Sequence, residues 1–162
     1  MNRLEKTVKK LENKPFDLLS KAIGRVVPFV GTAGLKFEVM TQERVIVKVN
    51  NRRKNRNHIG QVHAAAMVLL AETATGMVVG MNVPDDKVPL VKYIKTDFVR
   101  RSEGAMRAEA WLTPEQQDAI RTQPRGEVMV AVKVTDELGE EPIICEAEWA
   151  WREKKKKEVS GS

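Results

Sequence analysis

The stretch Asn57-His58-Ile59-Gly60-Gln61-Val62-His63-Ala64-Ala65-Ala66-Met67-Val68-Leu69-Leu70-Ala71-Glu72-Thr73-Ala74-Thr75-Gly76-Met77-Val78-Val79-Gly80-Met81 decides how the rest of the chain reads. Its Ala, Leu and Met content favours helix. Between Ile59 and Pro84, Glu72 is the only Asp, Glu, Lys or Arg. A helix apolar nearly all round is expected to be buried on every side, as a core helix or a membrane span. Glu72 in the middle, His63, two threonines and two glycines speak against the span, as do the amphipathic strands on either side, which need a core of their own.

Those strands follow from alternation. Leu35, Phe37 and Val39 alternate with polar residues, as do Val45, Val47 and Val49, and Thr41-Gln42-Glu43 is short enough to join them as a hairpin. After the apolar stretch, residues 90–101 read as a long strand with basic ends. Met106, Ala108, Ala110 and Leu112 mark another over 104–112. Val128 to Val134 and Ile143 to Trp151 mark two more, joined by a turn from Asp136 to Pro142. Thr113-Pro114-Glu115-Gln116 is a capping box with proline at the first helical position, which predicts a short helix over 114–121. Towards the N-terminus, Leu4, Val8 and Leu11 recur at helical spacing. Pro15 then opens a second helix with Phe16, Leu19, Ala22 and Ile23 on one face and Gly24 at its end. The expected organisation is an amphipathic segment over 1–14, one domain over 15–152, and a basic disordered tail over 153–162. The fold class is α+β: a curved antiparallel sheet wrapped around one long central helix. Such a sheet leaves edges or a face that want a second copy, so a dimer is expected.

Composition bounds the function. With 162 residues, 42% hydrophobic and 31% charged, the chain is not intrinsically disordered. One cysteine, Cys145, excludes an intrachain disulfide and a cysteine-based zinc site, and two histidines, His58 and His63, argue against a multi-histidine metal centre. No metal is expected. The net charge of +6 is unevenly spread: residues 1–62 carry 14 Lys/Arg against 5 Asp/Glu, and residues 63–162 carry 14 against 17. The basic first third fits an anionic partner, and equally a plain solubilising surface. No signal peptide is visible, so the cytoplasm is the expected compartment.

Glu72 is the leading candidate for chemistry. An isolated carboxylate on an apolar helix is costly to bury, and desolvation raises its pKa towards that of a useful base; a hydrogen-bonded structural Glu is the plain alternative. Nine residues separate His63 from Glu72, roughly 900° of helix, so on one helix they face opposite sides. A site using both needs His63 ahead of the helix proper or Glu72 from a second chain. The turn Asn57-His58-Ile59-Gly60 leads into the helix, whose free N–H groups could hold a developing oxyanion. Arg52, Arg53, Lys54 and Arg56 sit just before it and suit phosphate, or form an ordinary solvated loop. Cys145 lies mid-strand and reads as a packed, inert thiol. No Gly-rich phosphate loop or nucleophile elbow is present.

Asn57-His58-Ile59-Gly60-Gln61-Val62-His63-Ala64-Ala65, followed by Leu70-Ala71-Glu72 and Gly76, resembles the hotdog-fold thioesterases, most closely the branch with phenylacetyl-CoA and 4-hydroxybenzoyl-CoA thioesterases. The resemblance covers about residues 15–152. It implies a hotdog-fold dimer in which each site takes residues from both chains, and hydrolysis of an acyl-CoA thioester. Glu72 would be nucleophile or general base, the N–H of Ala64 would hold the thioester oxygen, and Asn57 and His63 would orient substrate or water. His58, Gly60, Thr73 and Gly76 would line the substrate path, and Arg52, Arg53, Lys54 and Arg56 would meet the coenzyme A phosphates. No cofactor is implied beyond the coenzyme A of the substrate, and neither nucleic acid nor membrane as partner; dimers of such folds often pair again into tetramers. The usual His-Gly-Gly is here His63-Ala64-Ala65, which keeps the backbone donor and adds a methyl group. Met67, Met77 or Met81 would suit a medium or long acyl chain, or serve as ordinary core. Competing readings are an acyl-carrier-protein dehydratase, in which His58 and Glu72 would pair, and a non-catalytic acyl-CoA binder.

Overall fold

The computed structural model describes residues 1–11 and 16–154. The helix start expected at Pro15 and the tail over 155–162 lie outside the described residues. Three helices come first: α1 (Arg3–Leu11), α2 (Phe16–Val26) and α3 (Pro28–Ala33). Strands β1 (Lys36–Met40) and β2 (Arg44–Val49) follow, then a single 3₁₀ turn (Arg53–Asn55) and the central helix α4 (Ala64–Asn82). The remainder is β3 (Lys87–Phe98), β4 (Met106–Trp111), α5 (Pro114–Thr122), β5 (Gly126–Asp136) and β6 (Ile143–Glu153).

The six strands form one antiparallel sheet in the order β1-β2-β4-β5-β6-β3. Alternation decides its faces. Val45, Val47, Val49, Ala108, Ala110 and Ala147 turn inward and are fully buried. In register, Val45 lies opposite Ala110 and Val47 opposite Ala108. The alanines keep the concave face shallow, so a helix can approach closely. Helix α4 fills that space with Leu70, Ala71, Ala74 and Val78, each 0% exposed. It is long and apolar enough to cross a membrane by length and composition, yet here it is the core helix.

The fold departs from the sequence expectation at three places. Gly24 does not end α2. Its backbone lies against Gly31 of α3, where a Cβ would sit 2.8 Å from the Gly31 Cα. The glycine serves a close helix crossing, and Pro28 opens the unanticipated α3 at its first turn. Residues 153 and 154, expected to open the tail, are part of the fold: Glu153 ends β6, and Lys154 donates its N–H to the Asp86 carbonyl. Most telling, α4 is not buried on every side. Ala65, Leu69 and Glu72 share one helical face, and in the single chain Ala65 is exposed and the other two are half-buried. One concave sheet covers only part of a helix's circumference.

The capping box on α5 is as read: the Thr113 hydroxyl accepts from the Gln116 N–H (3.3 Å) and the Gln116 side chain accepts from the Thr113 N–H (2.9 Å).

Candidate functional site at the head of the central helix

The approach to α4 is built by side chains that bond to their own backbone. Asn57 Oδ1 accepts from the N–H groups of Ile59 and Gln61, both at 3.1 Å. Gly60 sits at φ +78, where any other residue would be strained, and its carbonyl accepts from Asn51 Nδ2 at 3.1 Å. The Asn57 side-chain oxygen is thus committed to the turn, and its NH2 remains for a ligand. His58 is exposed on this turn.

His63 is the N-cap of α4 and precedes the helix proper. Its Nδ1 accepts from the Ala65 N–H (3.0 Å). The ring proton of the neutral form therefore sits on Nε2, at an exposed residue. The His63 carbonyl accepts from Ala66 (2.8 Å) and Met67 (3.1 Å). Among the described residues nothing accepts from the Ala64 N–H. The helix thus presents one open amide, backed by its dipole.

That amide borders a cleft of about 330 Å³, lined by Asn57, Val62 and Ala64 on one side and by residues 98–102 on the other. The second wall was not anticipated. Residues 99–101 read in sequence as the basic end of a strand, but β3 stops at Phe98 and the chain turns. The buried Asp136 carboxylate accepts from the N–H groups of Glu103, Leu138 and Glu140, and so ties this loop to the β5–β6 turn. Arg100 joins the same cluster through Glu140 (3.3 Å). Ser102, 1% exposed, lines the cleft, and its hydroxyl has no hydrogen-bond partner among the described residues. The only sequence signal was two adjacent arginines beside a rare serine, which has no periodicity to mark it.

Glu72 lies on the open strip of α4, half-buried. Burial pushes its carboxyl pKa up; Thr73 pulls weakly the other way, although the Thr73 hydroxyl forms no hydrogen bond of normal geometry. Among the described residues no cation pairs with Glu72. Nine residues at about 1.5 Å each place it roughly 13 Å from His63 along the axis. One chain therefore does not bring Glu72 to the Asn57–Ala64 cleft. Gly76 is explained by packing: a Cβ there would lie 2.6 Å from the Trp149 ring, whose Nε1 donates to Thr75 Oγ1 at 3.0 Å.

Two members of the basic loop are engaged within the chain. Lys54 Nζ donates to the Thr32 carbonyl (2.6 Å), and Arg56 holds the side chain and carbonyl of Asn51. Arg52 and Arg53 are exposed. Burial raises the pKa of Cys145, in keeping with an inert thiol.

Comparison with known proteins places this geometry. A family model described as a domain of unknown function (DUF4442) matches residues 16–151. No curated protein matches the chain. Among solved structures, a protein of unknown function from Pseudomonas aeruginosa, described as a probable thioesterase, is 27% identical with a TM-score of 0.75, over 86% of this chain and 97% of its own. A putative thioesterase from Shewanella oneidensis is 10% identical with a TM-score of 0.72, over 85% of this chain and 96% of its own. A thioesterase enzyme from Staphylococcus aureus, solved as a mutant, is 14% identical with a TM-score of 0.63, over 77% and 98%. The sheet and its enclosed helix are the hotdog fold of these thioesterases.

Proposed function

We infer that this chain, which belongs to the DUF4442 family, hydrolyses an acyl-CoA thioester to the free acid and coenzyme A at a site shared across a homodimer. The observation that carries this reading is Glu72: a carboxylate with no paired cation among the described residues, raised in pKa by burial, on the strip of the core helix that its own sheet leaves open. A second copy would supply Glu72 to the cleft that holds Asn57, His63 and Ala64. Edge strand β3 supports a seam there, with Leu90, Val91 and Tyr93 at 39–45% exposure and no strand neighbour on its outer side among the described residues. The Staphylococcus aureus thioesterase has been altered at a glutamine and at a glutamate fifteen positions apart, the separation of Asn57 and Glu72 here.

The chemistry follows from these groups. The Ala64 N–H and the helix dipole hold the thioester oxygen and stabilise it as it gains charge. The Asn57 NH2 and His63 Nε2–H orient the carbonyl or a water. Acting as base, Glu72 takes a proton from water as the water oxygen attacks the thioester carbon. The tetrahedral intermediate then expels the coenzyme A thiolate, which recovers that proton from the Glu72 carboxyl. Acting as nucleophile, Glu72 would attack the thioester carbon and expel the coenzyme A thiolate, leaving an anhydride that water cleaves to the free acid and the Glu72 carboxylate, the released proton going to the thiolate.

Thiol release from short, long and aromatic acyl-CoAs, with wild type beside Glu72→Ala, tests the proposal. Turnover is expected in the wild type and a loss of at least about a thousandfold in the variant, with both proteins dimeric by light scattering. No turnover with any acyl-CoA, or near-normal turnover in the variant, would overturn it.

A further inference from the structure

A second concavity lies outside the thioester cleft, where α2, α3 and the start of β1 meet. It encloses about 430 Å³ and is lined by four cations, Lys21, Arg25, Lys36 and Arg52, against one carboxylate, Asp17. Asp17 is occupied with Lys36 at 2.8 Å, which holds its carboxyl pKa down. Among the described residues Lys21, Arg25 and Arg52 make no ion pair. Lys21 and Arg25 are one helical turn apart and exposed on the same face of α2. Like charges at that spacing cost helix stability unless an anion lies between them. Gly24, Gly31 and Gly34 also line the concavity, with Gly24 and Gly31 packed on each other at the helix crossing and Lys54 lying against Gly34.

The groove is bolted to the head of α4. Lys54 Nζ donates to the Thr32 carbonyl and Asn55 Nδ2 to the Ala33 carbonyl (2.9 Å), which ties the basic loop to the end of α3. The Asn55 carbonyl accepts from the His63 N–H at 2.7 Å. A group held in the groove is therefore held at a set position relative to the open Ala64 amide.

We propose that this groove binds a phosphorylated nucleotide end, namely the 3′-phosphate and diphosphate of coenzyme A, with Lys21, Arg25 and Arg52 as direct ligands. The assignment of coenzyme A rests on the acyl-CoA reading above. It moves phosphate recognition from the loop alone to a groove in which α2 supplies two of the charges. Arginine and lysine converging on phosphate oxygens make charge-assisted hydrogen bonds, and the bond to an anion strengthens as salt is lowered.

Calorimetric titration of the full chain with coenzyme A, 3′-dephospho-coenzyme A and pantetheine tests the proposal. Coenzyme A should bind most tightly and pantetheine least. The double variant Lys21→Ala/Arg25→Ala should weaken coenzyme A about tenfold or more with no change for pantetheine. Asp17→Asn, which frees Lys36, should tighten it a few-fold. Equal affinity of the double variant for coenzyme A, or equal binding of coenzyme A and pantetheine, would overturn the groove. Acyl-CoA turnover separates the two claims. If the double variant loses coenzyme A affinity while wild type hydrolyses no acyl-CoA, the groove stands and hydrolysis falls. If wild type turns over and the double variant keeps its KM, hydrolysis stands and the groove falls.

Discussion

The two ends of the core helix are finished in opposite ways. At its C-terminal end, Asn2 Nδ2 reaches the carbonyls of Gly80 (2.8 Å), Met81 (3.2 Å) and Val83 (2.7 Å), while Asn2 Oδ1 caps α1 by accepting from the Glu5 N–H (2.8 Å). Asn82 donates to the Gln42 carbonyl and accepts from Arg121. The groups a helix leaves unsatisfied there are consumed by the protein itself. At the N-terminal end, His63 takes the Ala65 N–H but the Ala64 N–H stays open beside a cleft walled by an unpartnered Ser102 hydroxyl. The closed end pins α1 to the core. The open end leaves the Ala64 N–H and the Ser102 hydroxyl without a partner among the described residues.

The sharpest way to break this contrast is Ala64→Pro. Proline is well placed at the first helical position, and His63 at φ −64, ψ 142 is already extended as a residue before proline must be. The variant should keep its Tm and lose about 10²–10³ in kcat, since only the open amide is deleted; an unchanged kcat removes Ala64 from the oxyanion role. At the other end, Asn2→Ala should cost about 1–3 kcal/mol by stranding buried carbonyls. In a domain of this size that lowers Tm by several degrees. The kcat/KM should stay near wild type, and a large kinetic loss would show that the closed end also serves the site.

A smaller effect concerns Glu72. Its carboxyl pKa is raised in the folded chain, so the native state binds the proton more tightly than the unfolded one. Its stability contribution is therefore fully present below the unfolded glutamate value and is lost as pH rises through the folded one. Glu72→Gln should raise Tm at neutral pH and leave it little changed near pH 4; an equal shift at both would mean the carboxylate is not desolvated. The smallest effect is expected from Ser102→Ala. Deleting a buried hydroxyl without a partner should leave Tm unchanged or slightly raised. A marked drop in Tm would show that the hydroxyl is bonded in the folded state after all.

The elements legible in the sequence are those with strong periodicity, an extended apolar run or a capping signature: five alternating strands, the long strand with basic ends, α1, α5 and the core helix. The one misread helix end, Gly24, shows the limit of local reasoning. The same residue that ends a helix in isolation is also what two crossing helices require, and only the position of Gly31 distinguishes them. In the candidate site, Asn57, His63 and Glu72 stood out because they interrupt or lead into an apolar run, whereas Ala64 was singled out only by the resemblance to the hotdog-fold thioesterases. Arg101 and Ser102 did not, because a loop held by a distant carboxylate, Asp136, leaves no local pattern.

One apolar helix with a single carboxylate, wrapped by strands, is already written into the chain, because hydrophobic period and burial cost are local properties. Tertiary structure decided which strip of that helix stays open, which of its ends is sealed, and that Lys54 and Arg56 brace the fold while Lys21 and Arg25 join Arg52 across a groove. These depend on residues far apart in the chain meeting in space, and no spacing along the sequence encodes such a meeting.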